Sequence, residues 1–230
     1  AHRDRVAFVR ICSGHFIRGM KVVHVPSGRE MRLANPAQFV AQERNMVEEA
    51  FAGDVIGVFD PGFFEIGDTL TEQSVFEFEK IPSFAPEHFV RLLCMDPMRR
   101  KQLVRGIEQL AKEGTVQLYR PPSGRSGDMI LGAVGELQVE VTKHRLKEEY
   151  GVDVRLERMA YQLARWVSGV SEKAIDFNAL QQACTGLVVV DIRERPVVLF
   201  EREWSVRLTQ ERLPDMIFAE TASGVVTRDI

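Results

Sequence analysis

The sequence predicts a β barrel followed by an α/β domain, and three observations carry that expectation. Over Arg5–Leu70, short runs rich in β-branched and aromatic residues are cut by turn residues roughly every 8 to 12 positions, the pattern of a closed barrel or sandwich. Pro82 and Pro86 then mark a change of style and a joint near residue 79, giving expected domains at 1–79 and 80–230. Beyond the joint, helical periods alternate with strands in the order β-α-β-β-α-β, the ferredoxin-like order, with a C-terminal extension.

Val6, Phe8, Arg10 and Cys12 open the barrel, and further runs follow at Met20–Val25, Arg29–Leu33, Gln38–Gln42 and Val55–Phe59. Gly14, Gly19, Ser27-Gly28, Asn35-Pro36 and Gly53-Asp54 separate them. In the second domain Phe89–Met95 reads as a buried strand, and Asp96-Pro97 is a cap and first-turn pair that opens a helix. Leu103, Ile107 and Leu110 share one face of that helix, and Gly114 ends it. Strands Thr115–Arg120 and Asp128–Ala133 flank a tip of Pro, Ser, Gly and Arg. A second helix is expected over Gly135–Tyr150, ended by Gly151, although Leu137, Val139 and Val141 alternate as in a strand. Val152–Met159 supplies the next strand. Ser171–Ala183 is expected as a helix, Gly186–Phe200 as a hairpin and Glu201–Arg212 as a helix. The sequence displays no internal repeat.

Composition narrows the function classes. With 45% hydrophobic and 27% charged residues, the 230-residue chain is able to bury a core, and its net charge of -3 supplies no global basic field. No apolar run reaches the roughly 18 residues of a membrane span, so no membrane contact is expected. Cys12, Cys94 and Cys184 are widely spaced, which suits reduced thiols and a cytoplasmic location. The start at Ala1 without a methionine suggests a fragment. The dipeptide Gly-Lys, which a phosphate-binding P-loop requires, occurs nowhere, and Asp60-Pro61-Gly62 reads as a hairpin turn. The five histidines show no metal-binding spacing, and the adjacent pairs Glu48-Glu49 and Glu148-Glu149 point apart. The expectation is therefore no catalytic, cofactor-binding or metal-binding residue in this chain.

Binding residues are better supported. Arg99, Arg100 and Lys101 sit near a helix start, where the macrodipole disfavours cations, so they are candidate phosphate contacts; the alternative is a solvated helix end. The tip from Arg120 to Arg125 is a second cationic candidate. Arg18, Lys21, Arg29 and Arg32 form the barrel's basic set, which strand alternation is expected to scatter. Trp166 and Trp204 are expected in the core. Phe63-Phe64 cannot both point inward easily, so one of the pair is a candidate contact with another domain.

Two motif sets resemble a known superfamily. Arg5–Gly14, Gly19-Met20-Lys21, Ala52-Gly53-Asp54 and Ile66-Gly67-Asp68-Thr69 resemble the β-barrel domain of the translational GTPases, the elongation-factor superfamily. Val134-Gly135-Glu136-Leu137-Gln138 resembles its Gly-Glu-Leu-His motif, with Gln138 where histidine is usual. Within that superfamily, Ile81–Glu87, Lys101-Gln102-Leu103, Ala164-Arg165-Trp166-Val167 and Gln210–Asp215 are similar to the bacterial class II peptide chain release factors. The resemblance implies an N-terminal GTPase domain, holding GTP and magnesium, outside this chain and packed near Phe63 and Phe64. It also implies a monomeric factor that meets the RNA and protein of the ribosome and uses GTP to dislodge class I release factors after peptide release. Other readings are the C-terminal domains of another ribosomal GTPase, such as an elongation or ribosome-stress factor, a stand-alone ribosome- or RNA-binding module, and a small-molecule enzyme.

Overall fold

Short strands build the first part of the chain because turn glycines interrupt every run. In a computed structural model, described over residues 6–33, 37–40, 43–60, 64–72, 76–79, 84–122, 129–169 and 175–222, the chain divides into two units, Ala1–Ile81 and Pro82–Ile230. The first contains β1 (Val6–Arg10), β2 (His15–Ile17), β3 (Lys21–His24), β4 (Arg29–Arg32), β5 (Ala37–Val40), β6 (Glu43–Met46), β7 (Glu49–Phe51), β8 (Val55–Phe59) and β9 (Leu70–Thr71). They pair as β1-β8-β5-β6, β2-β7 and β4-β3-β9. Phe16, Val22, Ile56, Val58 and Phe64 fill the space between these sheets.

Both Gly-Asp turns form as their residues dictate. Gly53 and Gly67 take left-handed angles of +105° and +90°. Asp54 Oδ2 accepts the Phe51 amide at 2.8 Å, and Asp68 Oδ2 accepts the Glu65 amide at 2.7 Å. Asp68 also meets Nε2 of buried His24 at 2.8 Å, while Nδ1 of that ring meets Ser27 Oγ at 2.6 Å. This chain of side chains ties the end of β3 to the second turn. Ser27 itself belongs to a 3-10 turn, Val25–Ser27, which cuts short the run expected to reach Val25.

The second unit opens with β10 (His88–Cys94), a 3-10 turn at Pro97–Arg99, α1 (Arg100–Lys112), β11 (Gln117–Arg120), β12 (Met129–Ala133), α2 (Glu136–Tyr150) and β13 (Val154–Arg158). Asp96 caps the turn by accepting the Met98 amide at 2.9 Å. Then follow β14 (Leu163–Gly169), α3 (Phe177–Ala183), β15 (Leu187–Asp191), β16 (Pro196–Phe200), α4 (Glu203–Arg212) and β17 (Met216–Ala219). The third helix was expected from Ser171. Its described start is set by Asp176, whose Oδ1 accepts the amides of Asn178 and Ala179.

The eight-stranded antiparallel sheet runs β13-β10-β12-β11-β15-β16-β14-β17. Numbered within its own half, that order is 4-1-3-2 followed by 2-3-1-4. The region expected as an extension is thus a second β-α-β-β-α-β half, joined to the first through Tyr119↔Asp191 and Arg120↔Val190. The repeat lies in topology, and the two halves satisfy it with different residues, so sequence comparison within the chain does not reveal it.

Register places all four helices on one face. Leu118 and Arg120 share a face with Val188 and Val190 across the β11–β15 seam. On that side α1 and α2 bury Leu103, Ile107, Leu110, Val139 and Leu146 against β10–β13. Leu180 of α3 and Val206 of α4 pack on Val167, Val188, Val198 and Phe200. The other face is also dry: Phe89, Tyr119, Ile130, Trp166, Val189, Val197 and Leu199 form a core of their own. Curvature explains it. In a flat sheet β13 and β14 would lie about 29 Å apart at about 4.8 Å per strand, yet the segment between Arg158 and Leu163 spans at most about 18 Å. The sheet therefore rolls around this second core. Tyr119 sits at its centre, with ring centroids 6.1 Å from Phe89 and 6.4 Å from Trp166. Gly132 is required there, since a Cβ would lie 2.8 Å from the Tyr119 ring.

Candidate nucleic-acid interface

Strand register brings two of the barrel's expected cations together. Lys21 and Arg32 are directly opposite on β3 and β4, both exposed, whereas Arg29 lies opposite His24 at the other end of the ribbon. Like charges so placed cost about 0.2–1 kcal/mol in a sheet, a cost that a shared phosphate would remove. Alternation was expected to scatter this set, but opposed strands restore what one strand separates. Arg18 is different, because its Nη1 donates to Glu48 Oε1 at 2.7 Å.

The Arg99–Lys101 cluster splits in two. Arg99 donates from Nη1 to the Gly151 carbonyl at 2.5 Å. Gly151 is the left-handed C-cap of α2, with φ of +64°. The cation that opposes the dipole of α1 thus closes the C-terminal end of α2, where positive charge is favoured by about 0.3–1 kcal/mol. Sequence reasoning missed this role because the two helix ends meet only in the fold. Arg100 and Lys101 remain exposed on the first turn of α1.

Arg120 is likewise committed. Its Nη2 donates to Glu108 Oε1 of α1 at 2.6 Å, and its Nε is buried with no hydrogen-bond partner among the described residues. Arg125 and Phe63 lie outside the described residues. Phe64 does not face outward as an interdomain contact would: at 8% exposure it belongs to the barrel core, its amide directed to Asp60 Oδ1. Trp204 departs from expectation the other way. Trp166 is buried, its Nε1 donating to Asp191 Oδ2 at 3.0 Å, but Trp204 is 59% exposed on α4. Its neighbours Val206 and Leu208 alternate in sequence but lie on a helix, so alternation assigned them no common face.

The surface that reasoning overlooked is on the barrel. Phe8 faces Gly57, with Phe59 and Val55 at neighbouring register positions on the same outward face, and Phe8 is 66% exposed. The signal was present in β1, where Val6-Ala7-Phe8-Val9 has no polar alternation, as strands covered on both faces do. Among the described residues no group of three or more His, Cys, Asp or Glu could hold a metal ion. No described helix is long and apolar enough to cross a membrane.

Comparison with known proteins agrees with this architecture. The family described as class II release factor RF3, C-terminal domain, matches residues 78–210, and elongation factor G domain 2 matches residues 1–73. Peptide chain release factor 3 of Symbiobacterium thermophilum is 50% identical over 97% of the chain, which spans 42% of that relative's length. Peptide chain release factor 3 of Listeria monocytogenes serotype 4a is 42% identical over 94% of the chain and 40% of its own length. A crystal structure from Thermus thermophilus, 24% identical, superimposes with a TM-score of 0.55 over 75% of this chain and 27% of that one, a likeness of fold. With the C-terminal-domain match covering both halves of the rolled sheet up to Gln210, and a barrel of elongation-factor type before it, the chain belongs to the class II release factor RF3 family.

Proposed function

We propose that this chain is the ribosome-binding region of a GTP-dependent translation termination factor that promotes dissociation of class I release factors after peptide release. The observation that carries the reading is the identity to peptide chain release factor 3 across both units. GTP and magnesium are held by a GTPase domain outside this chain, in keeping with the missing Gly-Lys dipeptide. That domain packs on the apolar barrel face around Phe8 and Phe59, in place of Phe64. The factor works as a cytoplasmic monomer, with ribosomal RNA and protein as its partners.

Lys21 with Arg32, and Arg100 with Lys101, are the phosphate contacts that this reading favours, because each pair is exposed and clustered. Charge reversal of either pair in the full-length factor should weaken cosedimentation with ribosomes. Each lost phosphate contact lowers the slope of log affinity against log salt by about 0.7–0.9. Unchanged binding across the salt range would remove that pair from the interface, and submicromolar GTP binding by the 230-residue chain would overturn the division of labour.

A further inference from the structure

Helix α2 is unlike α1. All the buried residues of α1 fall on one stripe, whereas α2 buries Val139 and Leu146 and also presents Leu137 and Val141, one turn apart, to solvent. Leu137 is 71% exposed. Beside it, α2, the start of β10 and the segment joining the two halves enclose a groove of about 590 Å³. Its apolar lining includes Val139, Met159 and Tyr161, and its rim carries Glu87, Glu136 and Glu140. The rim's one arginine, Arg158, is held by Glu136 at 2.8 Å.

We propose that this groove and the Leu137–Val141 ridge dock a basic polypeptide segment, one that carries an apolar side chain between lysines or arginines. The apolar side chain enters the groove, and the flanking cations meet Glu87 and Glu140, the two rim carboxylates outside the Arg158 pair. Charge complementarity selects this occupant. The same carboxylates repel nucleic acid. The inference stands on the groove and the helix face alone and does not require the release-factor reading.

The probe is a fluorescein-labelled peptide of five Lys-Leu repeats, titrated into the 230-residue chain by anisotropy and mapped by amide NMR shifts. A peptide of five Glu-Leu repeats and a ten-nucleotide RNA are titrated in parallel. The proposal expects shifts grouped at Val134–Val141 and Arg158–Leu163 for the basic peptide alone. Leu137→Asp, and the pair Glu87→Lys with Glu140→Lys, should each weaken binding at least tenfold without lowering the melting temperature, because these side chains are exposed. Shifts centred elsewhere, equal binding of the acidic peptide, RNA binding at the same amides, or affinity indifferent to both variants would each overturn it.

Discussion

The first half of the second unit covers its sheet with longer helices than the second half, which has more strands buried on both faces. Helices α1 and α2 have 13 and 15 residues, α3 and α4 only 7 and 10. Two strands of the second half, at Val188–Asp191 and Val197–Phe200, are buried at every position, against one, β12, in the first, because one face of each meets helices and the other meets the Tyr119 core. Strands covered on both sides need no alternation and less helix above them. One topology is thus reached by two distributions of apolar surface, and the halves should respond differently to damage.

The largest effect is expected at the seam. Asp191 accepts hydrogen bonds from Trp166 Nε1, from the amides of Arg193 and Arg195, and from the Arg195 guanidinium. Asp191→Ala strands all of these groups and should cost about 3–5 kcal/mol in urea unfolding. If the seam makes the halves one cooperative unit, both lose amide protection together; loss in the second half alone would show that they unfold separately. Core truncation sharpens the contrast. Leu110→Ala and Leu180→Ala each remove a fully buried side chain and should cost about 2–5 kcal/mol. Hydrogen exchange should show the Leu180 variant opening the seven-residue α3 locally, whereas the Leu110 variant lowers protection throughout its half.

Tyr119 offers a test by pH. Burial first, and the nearby Asp191 charge second, hold its phenol well above the ordinary tyrosine range, with Arg195 opposing. A folded pKa above the unfolded value means that the contribution is complete below about pH 10 and declines as pH rises from there towards the folded pKa. The decline is about 1.4 kcal/mol per pH unit. Tyr119→Phe should lose about 1 kcal/mol at neutral pH with the bond to Gln117, and should then fall less steeply in alkali. The smallest effect separates neighbours. Arg99→Ala should cost about 1 kcal/mol through the Gly151 carbonyl, while Arg100→Ala should stay within about 0.5 kcal/mol.

These differences also explain what the sequence disclosed. Asp96-Pro97, the Leu103–Leu110 stripe and the two Gly-Asp turns act through neighbours in the chain, so their residue types name the structure. Strands β14 and β17 went unread because β14 is buried on two faces and β17 is short, and neither shows a period. At the candidate surface, which side chains are cationic was legible, but which are free to bind was not. Arg99 and Arg120 are consumed by Gly151 and Glu108, partners 52 and 12 residues away. Lys21 and Arg32 become a pair only through register.

The seam between the halves has a consequence during synthesis. Until β15 leaves the ribosome, β11 is the bare edge of a four-stranded sheet, open to any passing strand. Roughly 30 residues separate β13, which completes those four strands, from β15, a wait of about 1.5–6 s at about 5–20 residues per second. Only four residues long and ending in Arg120, that edge is short and charged, two features that discourage pairing between nascent chains while the covering strand is still being made.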